Sequence, residues 1–124
     1  MNVLLSIKPK YVDEIINGNK KYEFRKSIFK NDVGCAYIYC TSPIKKIVGA
    51  FAIGKIINDS PEQLWEMFSD VAGIEKENFF HYFENKEEGF AIEIKKLHIF
   101  EEPKELNDLF PGFTPPQSFC YIGE

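Results

Sequence analysis

No stretch of this sequence approaches the ~18 consecutive apolar residues that a membrane-spanning helix needs. The opening Met1-Asn2-Val3-Leu4-Leu5-Ser6-Ile7-Lys8 has no basic segment ahead of its apolar run, so it reads as a strand rather than a signal peptide. A cytoplasmic protein is expected. Cysteine is scarce: Cys35, Cys40 and Cys120 form no C-x-x-C pair. Residues 35 and 40, five apart, would face opposite sides of a shared strand. The three read as reduced thiols acting as small hydrophobes rather than as a zinc site. His81 and His98, the only histidines, lie in different expected elements without ligand spacing. Neither a metal nor a cofactor is expected. Internal repeats, low-complexity tracts and linkers are missing as well.

What is present is a globular composition. Hydrophobic residues make up 44% and aromatics 15%, with twelve Phe, which excludes a disordered chain. At 124 residues one domain, 1–124, is expected, large enough to bury a core without staples. A monomer is expected. The net charge of −4 hides a split: residues 1–57 hold ten Lys/Arg against four Asp/Glu, and residues 58–124 hold five against fifteen. Such a split marks either a basic face for an anionic partner or well-solvated acidic helices.

Pattern gives the elements. Val3, Leu4, Leu5 and Ile7 predict a strand buried on both faces. Pro9 suits the first turn of a helix, Tyr11, Val12, Ile15 and Ile16 mark one helical face, and Gly18 caps it, giving a helix over 9–17. A strand over 20–26 puts Tyr22 and Phe24 on the core face, with Lys21, Glu23 and Arg25 opposite. Residues 27–34 read as a loop, and 35–40 as a strand ended by Thr41-Ser42-Pro43. The strand over 47–57 carries Gly49 and Gly54, which call for a bend or a close backbone approach. Ser60-Pro61-Glu62-Gln63 is a capping box opening a helix, and a second helix is expected at 76–85. Over 90–100 the inward parity changes near Lys95-Lys96, which calls for a bulge or a sharp twist. Residues 103–116, with four prolines, read as a turn-rich excursion, and 118–122 as a last strand. The order β-α-β-β-β-α-α-β-β predicts an α+β fold whose mixed or antiparallel sheet bends into a small, partly closed β-barrel with flanking helices.

Gly18-x-Lys20-x-x-Glu23-x-Arg25 resembles the signature of the ASCH family, within the PUA-like superfamily. Leu5-Ser6-Ile7-Lys8-Pro9 ahead of the first helix, the Thr41-Ser42-Pro43 turn leading to a lysine pair and Gly49, and Pro116-Gln117-Ser118-Phe119 near the end resemble it too. The resemblance implies a PUA-like barrel with a cleft suited to RNA or a nucleotide, as in RNA-binding or transcription-associated modules. Some small members are enzymes, an amidohydrolase acting on N4-acetylcytidine and a ribonuclease. The amidohydrolase branch reads Gly-x-Lys-x-x-Thr-x-Arg, and Glu23 stands here at the threonine position. A carboxylate does not simply replace an activated hydroxyl in acyl transfer.

The candidate residues follow. Lys20 is a phosphate contact or an amine of lowered pKa, against a solvated lysine at a strand start. Strict alternation separates it from Glu23 and Arg25, so if the three share a cleft it must belong to the turn or the strand must twist there. Arg25 reaches a phosphate bidentately while Glu23 orients it or accepts from a base edge, against a plain cross-strand ion pair. Lys45 and Lys46 are a phosphate-contacting loop or a solvated turn. Gln117 and Ser118 bond a base or set a hydroxyl near Lys20, against a cap at a strand start. Lys20, Glu23 and Ser118 are the catalytic candidates. The expected partner is RNA or a nucleotide, bound by the Lys/Glu/Arg cleft. The alternatives are a hydrolase using the same cleft, and a protein-interaction domain using the acidic face from Glu62 to Glu105. A basic patch of Lys8, Lys10, Lys20, Lys21, Arg25, Lys26, Lys30, Lys45 and Lys46 is expected, with the helices of 60–85 packed away from it.

Overall fold

The computed structural model describes residues 1–123; Glu124 lies outside the described residues. Six strands form one mixed sheet. They are β1 (Asn2–Ile7), β2 (Tyr22–Arg25), β3 (Cys35–Cys40), β4 (Lys46–Asp59), β5 (Gly89–Lys104) and β6 (Phe119–Ile122), in the order β2-β5-β4-β3-β1-β6. Only β1 and β3 pair in parallel; the other neighbours are antiparallel. The sheet curls into a half-barrel flanked by helices α1 (Pro9–Ile16), α2 (Pro61–Phe68), α3 (Lys76–Tyr82) and α4 (Leu106–Leu109). No helix of the described residues is long and apolar enough to cross a membrane.

The curl has local causes. Ala50 pairs with His98 and Ala52 with Lys95, so β5 carries one more residue than β4 there, and Lys96 takes a φ of 49°. Of the bulge or sharp twist that the parity change calls for, the strand takes the bulge. At Gly49 a Cβ would collide with the His98 carbonyl oxygen, so only glycine lets β4 approach β5 this closely. Ser60 caps α2 by accepting from the Gln63 N–H at 3.2 Å. The other half of the box is taken over by Asp59, whose carboxylate accepts from the Ser60 N–H at 2.8 Å.

Three expectations are corrected. The strand expected from 90–100 runs on through Pro103 to Lys104, and the excursion after it contains α4. The strand expected from residue 20 begins at Tyr22, because Lys20 bridges to Ala72 instead of continuing the β2–β5 ladder. The helices do not all pack away from the basic residues: α3 buries Phe79 edge-on against Phe24 of β2, 5.0 Å between ring centroids, and this pulls the helix against them.

The core divides accordingly. One cluster lies between the sheet and α1 (Val3, Leu5, Val12, Ile15, Ile38, Phe51), and a second under α2 and α3 (Phe24, Leu64, Phe79, Phe83). A third, with Leu4, Ile47 and Ile122, sits beneath α4 through Leu106. The opening between the first two clusters, at the end of β1, is where the polar residues gather.

Candidate functional site

Lys20, Glu23 and Arg25 are the only buried charged residues among those described, each no more than 7% exposed. Burying ionised groups is costly unless they are paired, so their clustering demands a reason. The first reason is local chain geometry. Helix α1 ends at Ile16 with Asn17 as its C-cap, and Gly18 takes the left-handed φ of 85°. The Glu14 carbonyl then accepts from both the Asn19 and Lys20 N–H groups at 3.0 Å, which reverses the chain and keeps Lys20 in the turn. Its side chain is thereby freed from strand alternation and meets Glu23.

The ammonium of Lys20 donates to the Ala72 carbonyl at 2.9 Å and lies 3.6 Å from Glu23 Oε1. It sits 4.8 Å from the centre of the Phe24 ring and 5.6 Å from that of Tyr11. Burial pushes its pKa below the usual lysine range; Glu23 opposes that shift without cancelling it. Glu23 Oε2 accepts from Arg25 Nη2 at 2.8 Å. Arg25 Nη2 also donates to the Ser6 carbonyl at 3.0 Å, and Nη1 to the Ser118 carbonyl at 3.2 Å and to Ser118 Oγ at 3.1 Å. Its Nε is buried and has no hydrogen-bond partner.

These groups floor a cleft of about 850 Å³. Ser6 to Lys8 at the end of β1, Lys10 and Tyr11 of α1, and Phe24 to Ser27 make one side. Asn78, Phe79, His81 and Tyr82 of α3 make the other, with Thr41, Gln117 and Ser118 at the end. Five cationic side chains (Lys8, Lys10, Lys20, Arg25, Lys26) line it against one carboxylate, Glu23. The acid of α3 stays outside the lining, although the helix itself is a wall. Lys26 places its ammonium 4.6 Å from the Tyr82 ring centre, and burial pushes the Tyr82 hydroxyl pKa up. Such a cleft can hold an anion beside a planar apolar group.

Lys20, Glu23, Arg25, Gln117 and Ser118 thus share one cleft. Lys45 and Lys46 are not in its lining; Lys46 lies 3.5 Å from Glu105 on the surface. Lys21 and Lys30 lie outside it too. Sequence reasoning missed Tyr82 and Asn78, which reach the cleft only because Phe79 anchors α3, and Gly73, whose bare α-carbon accommodates Lys20. The Lys26-Tyr82 pairing has no signal in a single sequence. Among the described residues no group of three or more His, Cys, Asp or Glu is arranged to hold a metal ion. Burial raises the thiol pKa of Cys35, Cys40 and Cys120, which lowers their thiolate fraction.

A curled mixed sheet with flanking helices is the α+β fold of a PUA-like domain. The chain belongs to the ASCH family: the ASCH domain profile matches residues 5–102. It is similar to an ASCH domain-containing ribonuclease of Zymomonas mobilis, 26% identical over 122 residues that cover 96% of this chain and 82% of that protein. It is also similar to large ribosomal subunit protein uL22 of Ureaplasma parvum, 28% identical over 121 residues. That match covers 97% of this chain but only 39% of the longer relative. The fold matches the crystal structure of ASCH from Zymomonas mobilis with a TM-score of 0.90 at 24% identity, covering 99% of this chain and 88% of that one. The N-terminal domain of Staphylothermus marinus McrB shares it more distantly, with a TM-score of 0.61 at 12% identity, covering 98% and 87%.

Proposed function

We propose that this ASCH domain binds RNA in the cleft between β2, α3 and the segment 116–118. The observation that carries this is the charge of the lining, five cations against one carboxylate on a protein of net charge −4. A local potential of that sign draws a polyanion to one face of an acidic molecule. Aromatic rings of Tyr11 and Tyr82 beside the lysines suit bases as well as phosphates. The similarity to a protein named as a ribonuclease supports an RNA ligand over other anions. The test is anisotropy titration of a single-stranded RNA over a range of KCl. Affinity is expected to fall with salt, with a slope of roughly two if the three rim lysines each meet a phosphate, at ~0.7 per contact. No detectable binding at low salt removes this reading.

A second reading, hydrolysis in the same cleft, is favoured by one feature. Lys20 is an amine of lowered pKa 3.6 Å from a carboxylate, the kind of pair that serves acid–base chemistry. Lys20 and Glu23 would then exchange protons with the substrate, beside Ser118. Incubation with RNA and with N4-acetylcytidine, using Lys20→Ala as the control, distinguishes turnover from binding. Turnover that survives the substitution takes Lys20 out of the chemistry.

A further inference from the structure

We propose that Arg25 is a positioning residue that closes the curled sheet edge to edge, acting on the ligand only through Glu23 and Ser118. This rests on the RNA reading of the cleft. Strands β2 and β6 are the two outer strands of the sheet and share no ladder. The Arg25 guanidinium, at the end of β2, crosses that gap. It donates to both oxygens of Ser118, which leads into β6, and to the Ser6 carbonyl near the end of β1. Ser6 fastens the same segment from the other side: its N–H donates to the Ser118 carbonyl at 3.0 Å and its hydroxyl to the Pro116 carbonyl at 2.6 Å.

The donor inventory decides the role. A guanidinium has five N–H groups, and it grips a phosphate through two that point the same way. All four on the Nη atoms of Arg25 are committed to protein oxygens. The fifth, on Nε, is shut away from solvent. No fork remains for a ligand. Arg25 instead fixes the two oxygen-bearing side chains of the floor, the Glu23 carboxylate and the Ser118 hydroxyl. The open half-barrel therefore closes at its site rather than along a strand pair.

The experiment compares Arg25→Lys with Lys26→Ala, whose parent ammonium lies over the Tyr82 ring at the rim and has no part in the clamp. Lysine keeps the charge but cannot span four acceptors on three residues. Arg25→Lys is expected to weaken RNA binding about tenfold, ~1.4 kcal/mol, with the salt slope unchanged. Lys26→Ala is expected to lower the slope by ~0.7. Exchange of the Ser6 amide and of the β6 amides should quicken in Arg25→Lys and not in Lys26→Ala. In a double-mutant cycle, adding Ser118→Ala to Arg25→Lys should cost no further affinity, because one acts through the other. A reduced slope with unaltered exchange would overturn the proposal in favour of a direct phosphate contact. Additive losses would overturn the link to Ser118. If the wild-type protein binds no RNA, the RNA reading fails while the exchange data still decide the clamp. If Arg25→Lys does not fold, Ser118→Ala alone decides: it should quicken Ser6 exchange severalfold, and an unchanged rate sinks the clamp.

Discussion

Gly73 packs against Lys20 at a point where any side chain would overlap the lysine's own Cβ. Its φ of 62° adds the left-handed conformation that L-residues avoid. Gly73→Ala is therefore expected to cost about 2–4 kcal/mol, the conformational penalty plus overpacking against a buried side chain. Gly18 shares the left-handed φ but has open space around it. Gly18→Ala should cost only about 1–2 kcal/mol. Urea denaturation of both variants isolates the Lys20 contact as the difference. RNA affinity should fall in Gly73→Ala and hold in Gly18→Ala. Equal destabilisation would mean that Lys20 simply moves aside.

Lys20 also makes a prediction in pH. Its folded pKa lies below the ordinary 10.5, with burial the main cause. Between that lowered value and 10.5, the unfolded chain holds a proton that the folded chain has released. Stability then rises with pH through that window, by the linkage relation. The tyrosines oppose it: burial raises the pKa of Tyr22, Tyr39 and Tyr82, and each such group loses stability above about pH 10 as the unfolded chain ionises. The comparison must therefore be with Lys20→Met, which keeps the stem and removes the charge. The stability of the wild type relative to Lys20→Met should climb as pH rises toward 10.5. A flat difference would show that Lys20 keeps its proton, sustained by Glu23. Near pH 7 Lys20→Met should be no more than about 1 kcal/mol less stable, since Glu23 retains Arg25.

The bulge and the turn explain how much could be read in advance. Alternation of Phe90, Ile92 and Ile94, followed by Leu97 and Ile99, called for a bulge or a sharp twist near Lys95-Lys96, and the chain forms a bulge with Lys96 at positive φ. The clash between strand parity and a shared Lys20-Glu23-Arg25 cleft called for either Lys20 in the turn or a twist of the strand, and the chain takes the turn. These inferences worked because they rest on periodicity, which is local. The second wall of the cleft was not legible. Placing α3 there depends on Phe79 meeting Phe24 across 55 residues, and a helix from the acidic half of the chain beside a basic cleft looks unfavourable until its lining face, Asn78, His81 and Tyr82, is known. The internal satisfaction of Arg25 was equally hidden, because three of its partners are oxygens of Ser6 and Ser118, and two of those are backbone carbonyls.

Lys96 offers a test of that reading. Exposed and left-handed, it carries about 1 kcal/mol or more of backbone strain without a contact that needs its side chain. Lys96→Gly relieves the strain but returns about 0.5–1 kcal/mol through the greater freedom of the unfolded chain. The variant should be as stable as the parent or slightly more so. Lys96→Val should be destabilised by roughly 2 kcal/mol, because a β-branched residue fits poorly at positive φ. Thermal melts of the pair give the order; a valine variant as stable as the glycine one would mean that the bulge relaxes to another register.

The rim lysines carry the last prediction. Lys8 and Lys10 line the cleft, whereas Lys45 and Lys46, equally close in sequence to structural turns, do not. If phosphates run along the rim, charge reversal there removes contacts, and the same change elsewhere alters only the general potential. Lys8→Glu/Lys10→Glu should weaken single-stranded RNA binding and lower the salt slope by roughly one to two, at ~0.7 per contact. Lys45→Glu/Lys46→Glu changes net charge identically. It should lower affinity modestly at low salt, lose that effect as salt screens it over a Debye length of about 10 Å at 0.1 M, and leave the slope unchanged within error. It would also put a carboxylate beside Glu105 in place of the present ion pair, at small cost because both side chains are largely exposed. Titrations of both double variants over the same KCl series separate contact from distant field. A slope that drops in the 45/46 variant and not in the 8/10 variant would move the RNA path off the cleft and onto the β3–β4 turn.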